Sequence, residues 1–600
     1  MFLKMELGLR RVRQFGGNVQ GSSGMEMKGK MYVIGVDFGT ESGRVLIVDV
    51  RNGAIAANHV TSYPHGVMDA AFFDGSPLPD HWALQHPGDY LHVLRTSVPI
   101  TMQTAGIHAH EVIGLGLDFT ASTILPVQED GTPLCFVTAW QANPHAYVKL
   151  WKHHAAQKYA EEFTQAAKQR GETFLDRYGG TISSEWMFPK ILQILREAPE
   201  IYDNAARFIE AGDWVVWQLT GQERRSACSA GYKACWDRSS GYPSTDFLSS
   251  IDSRLDSLMG TRIPTRVHDV GTRAGGLTHS WAQILGLVPN IPVSVSVIDA
   301  HASVPAVGVH EPGHMVIAMG TSFCHMLLGE HHERIPGIAG AVADGILPGY
   351  VGYEAGQAAG GDLFAWFLKK FAADFQRDRD ERESERLSQP LAADLPGPSD
   401  DAVFERMTQR AQEIPPGGTG LIALDWMNGN RSILMDATLS GVIAGFTLST
   451  KAEEVYRALL EAVAYGTRVI VEAFETNGLS VQDIHACGGV ATKNPLLMQI
   501  LADVTKKKVY VNALEHAPAV GAAILAAVAV GAANGGYDAI EEAVRCMAST
   551  NGVTYEPNPG AQGVYDVLYK QYCLLHDWFG REHSAFMKVL KQTRNNALHG

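Results

Sequence analysis

The chain has 600 residues, of which 46% are hydrophobic and 19% charged. This is globular composition, and the length is too great for one core when a domain takes roughly 100–200 residues. Lys+Arg number 49 against 64 Asp+Glu, a net charge of −15, which excludes nucleic acid and anionic membrane as default partners.

Residues 1–30 carry Lys4, Arg10, Arg11 and Arg13 with no long apolar run behind them. They lack the layout of a secretory signal and read as an unstructured or non-native extension outside the fold. Folded structure is expected to begin at 31–38 (MYVIGVDF), a β-branched run with the character of a buried strand. A turn at 39–44 (GTESGR) leads into a second strand at 45–50. This is a hairpin, not the strand–loop–helix that a Rossmann or P-loop fingerprint requires. A third apolar run, 112–119 (VIGLGLDF), contains Asp118 near its end.

Residues 149–218 read as mostly helical, with a break at Tyr178-Gly179-Gly180. The run 291–298 (IPVSVSVI) reads as one strand ending at Asp299. A second hairpin follows, made of 315–319, the turn Gly320-Thr321-Ser322, and 323–328. It repeats the layout of the first. The charged run within 376–400 (QRDRDERESER) reads as a solvated segment without function. From 451 the pattern is helix, strand, glycine turn, helix, and two long helical stretches close the chain. The Ala/Gly-rich 519–533 is shorter than the ~20 residues a bilayer demands and is expected to be a buried helix. The fold class is therefore α/β, with two similar halves at 31–289 and 290–590. Seven cysteines, never spaced CxxC, fit a reduced, cytosolic compartment.

The two turns carry the first chemical signal. In 37–44, Gly39 and Gly43 allow a tight backbone that presents N–H groups to an anion. Thr40 and Ser42 add hydroxyls, Arg44 can fork onto phosphate oxygens, and Asp37 is placed to hold Mg²⁺ through water. The same residues are also ordinary turn formers. Gly320, Thr321 and Ser322 supply a second such turn, and the two facing each other would clamp a polyphosphate. Gly488-Gly489 would let a flat base approach the backbone, with Asn494 hydrogen-bonding it. Asp299 and Asp118 share a strand-end context, so position alone leaves the general base open between them.

Two histidine patterns are set aside. His310-Glu311-Pro312-Gly313-His314 matches the H-E-x-x-H of zinc proteases, which places both histidines on one helical face. Pro312 and Gly313 break that helix, so the segment reads as a turn. His153-His154 are adjacent and point to different sides of any helix.

Together DFGTESGR (37–44), DAHASVPAVG (299–308), MGTS (319–322) and GGVATKNPLLMQILADV (488–504) resemble the FGGY carbohydrate kinases. These belong to the actin, sugar-kinase and heat-shock-chaperone ATPase superfamily. The resemblance covers about residues 31–590. It implies two ribonuclease-H-like domains with the active site in the cleft between them. Stretches that narrow the likeness are LGLDFTASTILPV (115–127), NPHAYVKLWKHHAAQ (143–157), YGGTISSEWMFPK (178–190), CSAGYKACW (228–236), GYEAGQAAGGDLFAWF (352–367) and LDWMNGNRS (424–432). They are similar to the branch that phosphorylates L-ribulose in L-arabinose degradation.

On that likeness Asp299 is the general base and a metal ligand, with Mg-ATP as the donor. Thr120, Ala121 and Ser122 lie against the sugar, and Lys233 and Glu354 reach its hydroxyls and carbonyl. Trp151, Trp186 and Trp426 are left as core residues. Phe323-Cys324 after the second turn departs from the family pattern, where a small or polar residue is common, and is expected to crowd that turn slightly. The rival readings are a kinase for D-ribulose, D-xylulose or ribitol, or a sugar and ATP sensor without turnover. A homo-oligomer such as a dimer stays open.

Overall fold

Each half of the chain is organised around a hairpin. In the first, Tyr32–Phe38 pairs antiparallel with Ser42–Asp49 and parallel with Val112–Phe119. Ile55–Ser62 adds an antiparallel strand outside the hairpin. In the second half, His314–Met319 pairs antiparallel with Phe323–Gly329 and parallel with Asp483–Cys487. Val351–Gln357 occupies the place of the outer strand. The two sheets, each of seven strands, thus repeat one order: outer strand, hairpin arm, central strand, parallel strand. Every residue of Tyr32–Phe38 is buried, which is why it reads as a continuous apolar run and not an alternating one.

The computed structural model describes residues 29–371, 400–549 and 551–599. The extension expected at 1–30 and the charged run at 376–400 therefore lie, apart from residues 29, 30 and 400, outside the described residues. No helix among the described residues is long and apolar enough to cross a membrane.

The segment 291–298 differs from its expected single strand. It forms two short strands, Pro292–Ser294 and Val297–Ile298, and Asp299 is the first residue of a helix, Asp299–Ala306. The interruption comes from partners outside the segment. The Val295 amide donates to the Thr272 carbonyl, and the Ser296 carbonyl accepts from Ser226 Oγ at 2.7 Å. Both backbone groups are thereby taken out of the ladder.

Val297–Ile298 pairs with Val112–Phe119, so the first sheet draws strands from as far as Ile298, and the second begins at His314. Between them, Asp299–Ala306 packs against Ala517–Val530, the buried Ala-rich helix, which also lies on the central strands of the first sheet. Their approach is close: a Cβ on Gly521 would sit 1.7 Å from the Ala302 carbonyl oxygen. Only glycine fits there.

Candidate active site

The strand ends of the first sheet bring three carboxylates together. Asp37 and Asp118 are direct neighbours in the parallel register, and Val297 pairs opposite Asp118 just before the chain reaches Asp299. Arg44 Nη1 donates to Asp37 Oδ2 at 2.7 Å, so the guanidinium expected on phosphate is paired with Asp37. Asp299 Oδ1 accepts the Ala300 N–H at 2.7 Å. Asp118 is fully buried, and neither of its oxygens has a hydrogen-bond partner.

Burial, then the charge of Asp37, pushes Asp299 up to about 7, against the opposing pull of the Ala300 amide and Lys233. Burial and then the charges of Asp37 and Asp299 lift Asp118 well above the usual carboxylate range. The two aspartates that looked alike in sequence are thus different here. Asp299 starts a helix and has a backbone partner; Asp118 is an orphaned acid.

The first turn is held from behind. Tyr63 O–H donates to the Gly39 carbonyl at 2.9 Å, and Gln85 Nε2 donates to the Thr40 carbonyl at 2.7 Å. Trp151, set aside as core, donates its Nε1–H to Thr40 Oγ1 at 3.1 Å. Ser42 contributes its carbonyl to the Gly39 N–H at 3.0 Å. In the second turn the Gly320 and Thr321 carbonyls accept from the Gly361 and Gly360 amides, each at 3.0 Å. Both turns are therefore anchored through carbonyl oxygens. Phe323 is fully buried, its ring packed on Gly360 beside the turn, while Cys324 is half-buried next to it.

Gly488 follows Asp483–Cys487 at φ 95°, and a Cβ there would lie 2.7 Å from the Met319 carbonyl oxygen. This brings the late glycine pair against the end of the second hairpin's first strand. Gly489 opens a short helix with free space above it. Asn494 is buried and caps the helix Pro495–Thr505, with Oδ1 accepting from the Leu497 amide and Nδ2 donating to Tyr456 Oη. Its side chain is spent on the fold, so the expected contact with a base finds no free group there.

The residues expected on the sugar side come from both halves. Lys233 ends the helix Ala227–Lys233, and Glu354 lies in Val351–Gln357. Lys233 Nζ sits 3.1 and 3.2 Å from the two Glu354 oxygens, and His301 Nε2 is 3.0 Å from Oε2. Burial opposes the Glu354 charge, but Lys233 and then His301 outweigh it and hold the carboxyl well below its usual range.

Thr120, Ala121 and Ser122 form the loop after Val112–Phe119, tied by the Thr120 amide to the Phe38 carbonyl at 3.1 Å. Two buried charges missed in the sequence brace this loop. Lys190 Nζ donates to the Ser122 carbonyl at 2.5 Å and the Leu150 carbonyl at 2.9 Å. Glu210 Oε2 accepts the Thr123 amide at 2.8 Å. Lys190 stands in the stretch 178–190, but no spacing there shows what it touches.

The chain matches the models of the FGGY family of carbohydrate kinases, N-terminal domain over residues 32–305 and C-terminal domain over 315–530. It belongs to that family. Its similar relatives include a protein named ribulokinase in Geobacillus thermodenitrificans, 50% identical over 570 residues, covering 95% of this chain and 98% of the relative. Another named ribulokinase, in Halalkalibacterium halodurans, is 50% identical over 567 residues, covering 94% and 98%. Among solved structures, xylulose kinase from Rhodospirillum rubrum superposes with a TM-score of 0.73 at 21% identity, covering 93% of this chain and all of that one. At that identity the likeness speaks for the two-domain fold alone. In this family kinase the three carboxylates, the two anchored turns and the Lys233–Glu354 pair surround one junction between the halves.

Proposed function

We propose that the chain transfers the γ-phosphoryl group of ATP to the 5-hydroxyl of L-ribulose. The sugar is taken from the 50% identical relatives named ribulokinase, which span nearly the whole chain. The observation that carries the chemistry is Asp299, half-buried and two residues past the Val297 that pairs opposite Asp118, with its carboxyl pushed up to about 7 by burial and the charge of Asp37. A base of this strength at this pH suits a sugar hydroxyl that must lose its proton as it attacks. Such proton transfer is worth roughly 10²–10⁴-fold, or about 3–5 kcal/mol of the barrier.

Lys233 and Glu354 would orient the sugar's carbonyl and hydroxyls, and the loop 120–122 would close over its far side. A buried charge pair built for hydroxyls rejects analogues that lack them, because the pair is then left unsatisfied. Thr40, Thr321 and the backbone of both turns would hold the phosphates, and the Gly488-Gly489 turn would admit the base. The donor set also fits a divalent cation: three carboxylates, of which Asp118 is buried and without a partner. Asp37, Asp118 and Asp299 would hold Mg²⁺, which when bound neutralises charge on the transferring phosphoryl group.

The test is coupled ADP release measured across L-ribulose, D-ribulose, D-xylulose, ribitol and glycerol, with Asp299→Asn in parallel. L-ribulose is expected to give the highest kcat/KM, and the variant to lose at least about a hundredfold in kcat. Preference for another sugar overturns the substrate, and an undiminished variant overturns the base. ATP binding without turnover on any sugar points to a sensor.

A further inference from the structure

The segment His310–His314 is an irregular turn, not a helix, so it builds no protease-like zinc site. Its last histidine nevertheless enters a different cluster. His314 lies directly opposite Asp483 in the parallel ladder, and His485 follows two residues along on the same face. His314 Nδ1 is 2.7 Å from Asp483 Oδ1, and His485 Nε2 is 3.3 Å from that same oxygen. The three donor atoms all lie within 4.8 Å of one another.

The 3.3 Å between His485 and Asp483 suits a small tetrahedral ion, and the 2.7 Å His314–Asp483 ion pair would open by about half an ångström to take one. Ligand atoms about 2.0–2.2 Å from zinc stand roughly 3.3 Å apart. The side chains are 17–23% exposed, open enough for an ion to enter from solvent and shielded enough to keep it. Supports stand behind both imidazoles. Glu311 Oε1 is 3.6 Å from the other ring nitrogen of His314, the position of a carboxylate that orients a metal-binding histidine. Tyr510 packs on the His485 ring at 5.0 Å between centroids. The neighbouring cation, Lys508, is turned away onto Glu556 at 2.9 Å.

We propose that His314, Asp483 and His485 form a site for a divalent transition-metal ion of the zinc class, with water completing the coordination. Two imidazoles and one carboxylate favour such an ion over Mg²⁺ or Ca²⁺, which take oxygen donors. The site lies at the far ends of the two strands whose other ends carry the Gly320 and Gly488 turns. An ion there ties those strands together, and because the folded arrangement binds it, it stabilises the second half of the molecule.

The test uses full-length protein stripped with chelator and titrated with Zn²⁺ in excess Mg²⁺, which occupies the oxygen donors of the cleft. Binding is followed by calorimetry and thermal unfolding, and Co²⁺ substitution by visible absorption. One equivalent of Zn²⁺ is expected, with a rise in Tm and the absorption of tetrahedral Co²⁺. His314→Gln and His485→Gln should each weaken binding at least about tenfold and remove the Tm rise, while keeping sugar-dependent ADP release. His65→Gln, in a second imidazole–carboxylate cluster with His86 and Asp89, should change neither. Absence of a bound equivalent in the wild type overturns the proposal. So does binding that survives both substitutions, or that is lost instead with His65→Gln.

Discussion

In the proposed reaction Asp299 joins catalysis and stability in one carboxyl group. Its value near 7 in the folded chain lies far above the 3.8 of an unperturbed aspartate, so between those limits the native state holds a proton that the unfolded chain has released. Stability from this group is therefore greatest at low pH and falls as pH rises through about 4 to 7. Asp299→Asn removes that penalty: the ligand-free variant should melt at a higher temperature than the wild type at pH 8, though its activity is lost. Thermal unfolding of both proteins from pH 5 to 8 checks it, and a variant Tm no higher at pH 8 would refute the assignment. The same protonation predicts that kcat/KM falls on the acid side of about pH 7, as the base becomes the acid. Asp118, orphaned and raised by the same neighbours, gives a parallel expectation. Asp118→Asn should stabilise the ligand-free protein and raise the Mg²⁺ concentration needed for half-maximal rate. Unchanged Mg²⁺ dependence would remove Asp118 from the cation site.

Among the elements, the loop 120–123 has the least local reason for its shape. Its backbone groups are satisfied by Lys190 and Glu210 from distant segments. Lys190→Met would leave the Ser122 carbonyl without its donor, at about 1–3 kcal/mol for a group left unsatisfied, while the Leu150 carbonyl keeps the His153 amide. If the loop takes the sugar side of the site, as proposed, the sugar KM should rise several-fold while the KM for ATP and the kcat change little; equal loss in both substrates would argue against it. These braces also mark the limit of what was legible in the sequence. The hairpins could be read because their buried strands are continuous β-branched runs interrupted by glycine turns; the second turn falls at 320–322 as expected, while the first is shorter, since the second strand already begins at Ser42 and pairs Gly43 with Phe38. The break at Val295–Ser296 depends on partners at Thr272 and Ser226, which no local pattern shows. Asn494 looked like a base-binding residue because an N-cap and a ligand contact call for the same side chain. Trp151 looked like core because its indole nitrogen finds Thr40 only through the fold.

Across the whole molecule, the covalent path between the sheets is the short stretch 299–313, and Ala517–Val530 packs across the same junction. Away from it, Tyr232 of the first half packs into an apolar core shared with Val342, Ile346 and Leu347 of the second, and the rim of the contact carries scattered charges. Arg238–Asp344 and Arg334–Asp176 each close to 2.7 Å, but their side chains are substantially exposed. Pairs of that kind contribute ~0–1 kcal/mol, too little to fix one arrangement. Lys233–Glu354 is a buried ion pair across the halves, and in the proposed reaction it is the contact that the sugar must enter. Closure is expected to pivot about that shared core and the 299–306 and 517–530 helices, with the sugar replacing part of the Lys233–Glu354 pair and the nucleotide drawing the two hydroxyl turns together. Small-angle scattering should show a smaller radius of gyration with L-ribulose plus a non-hydrolysable ATP analogue than with either alone. Glu354→Gln should weaken the sugar's share of that compaction, since the amide keeps the shape but loses the charge on Lys233. An unchanged radius with both ligands bound would mean that the cleft is already closed, and that the two turns hold the triphosphate without moving.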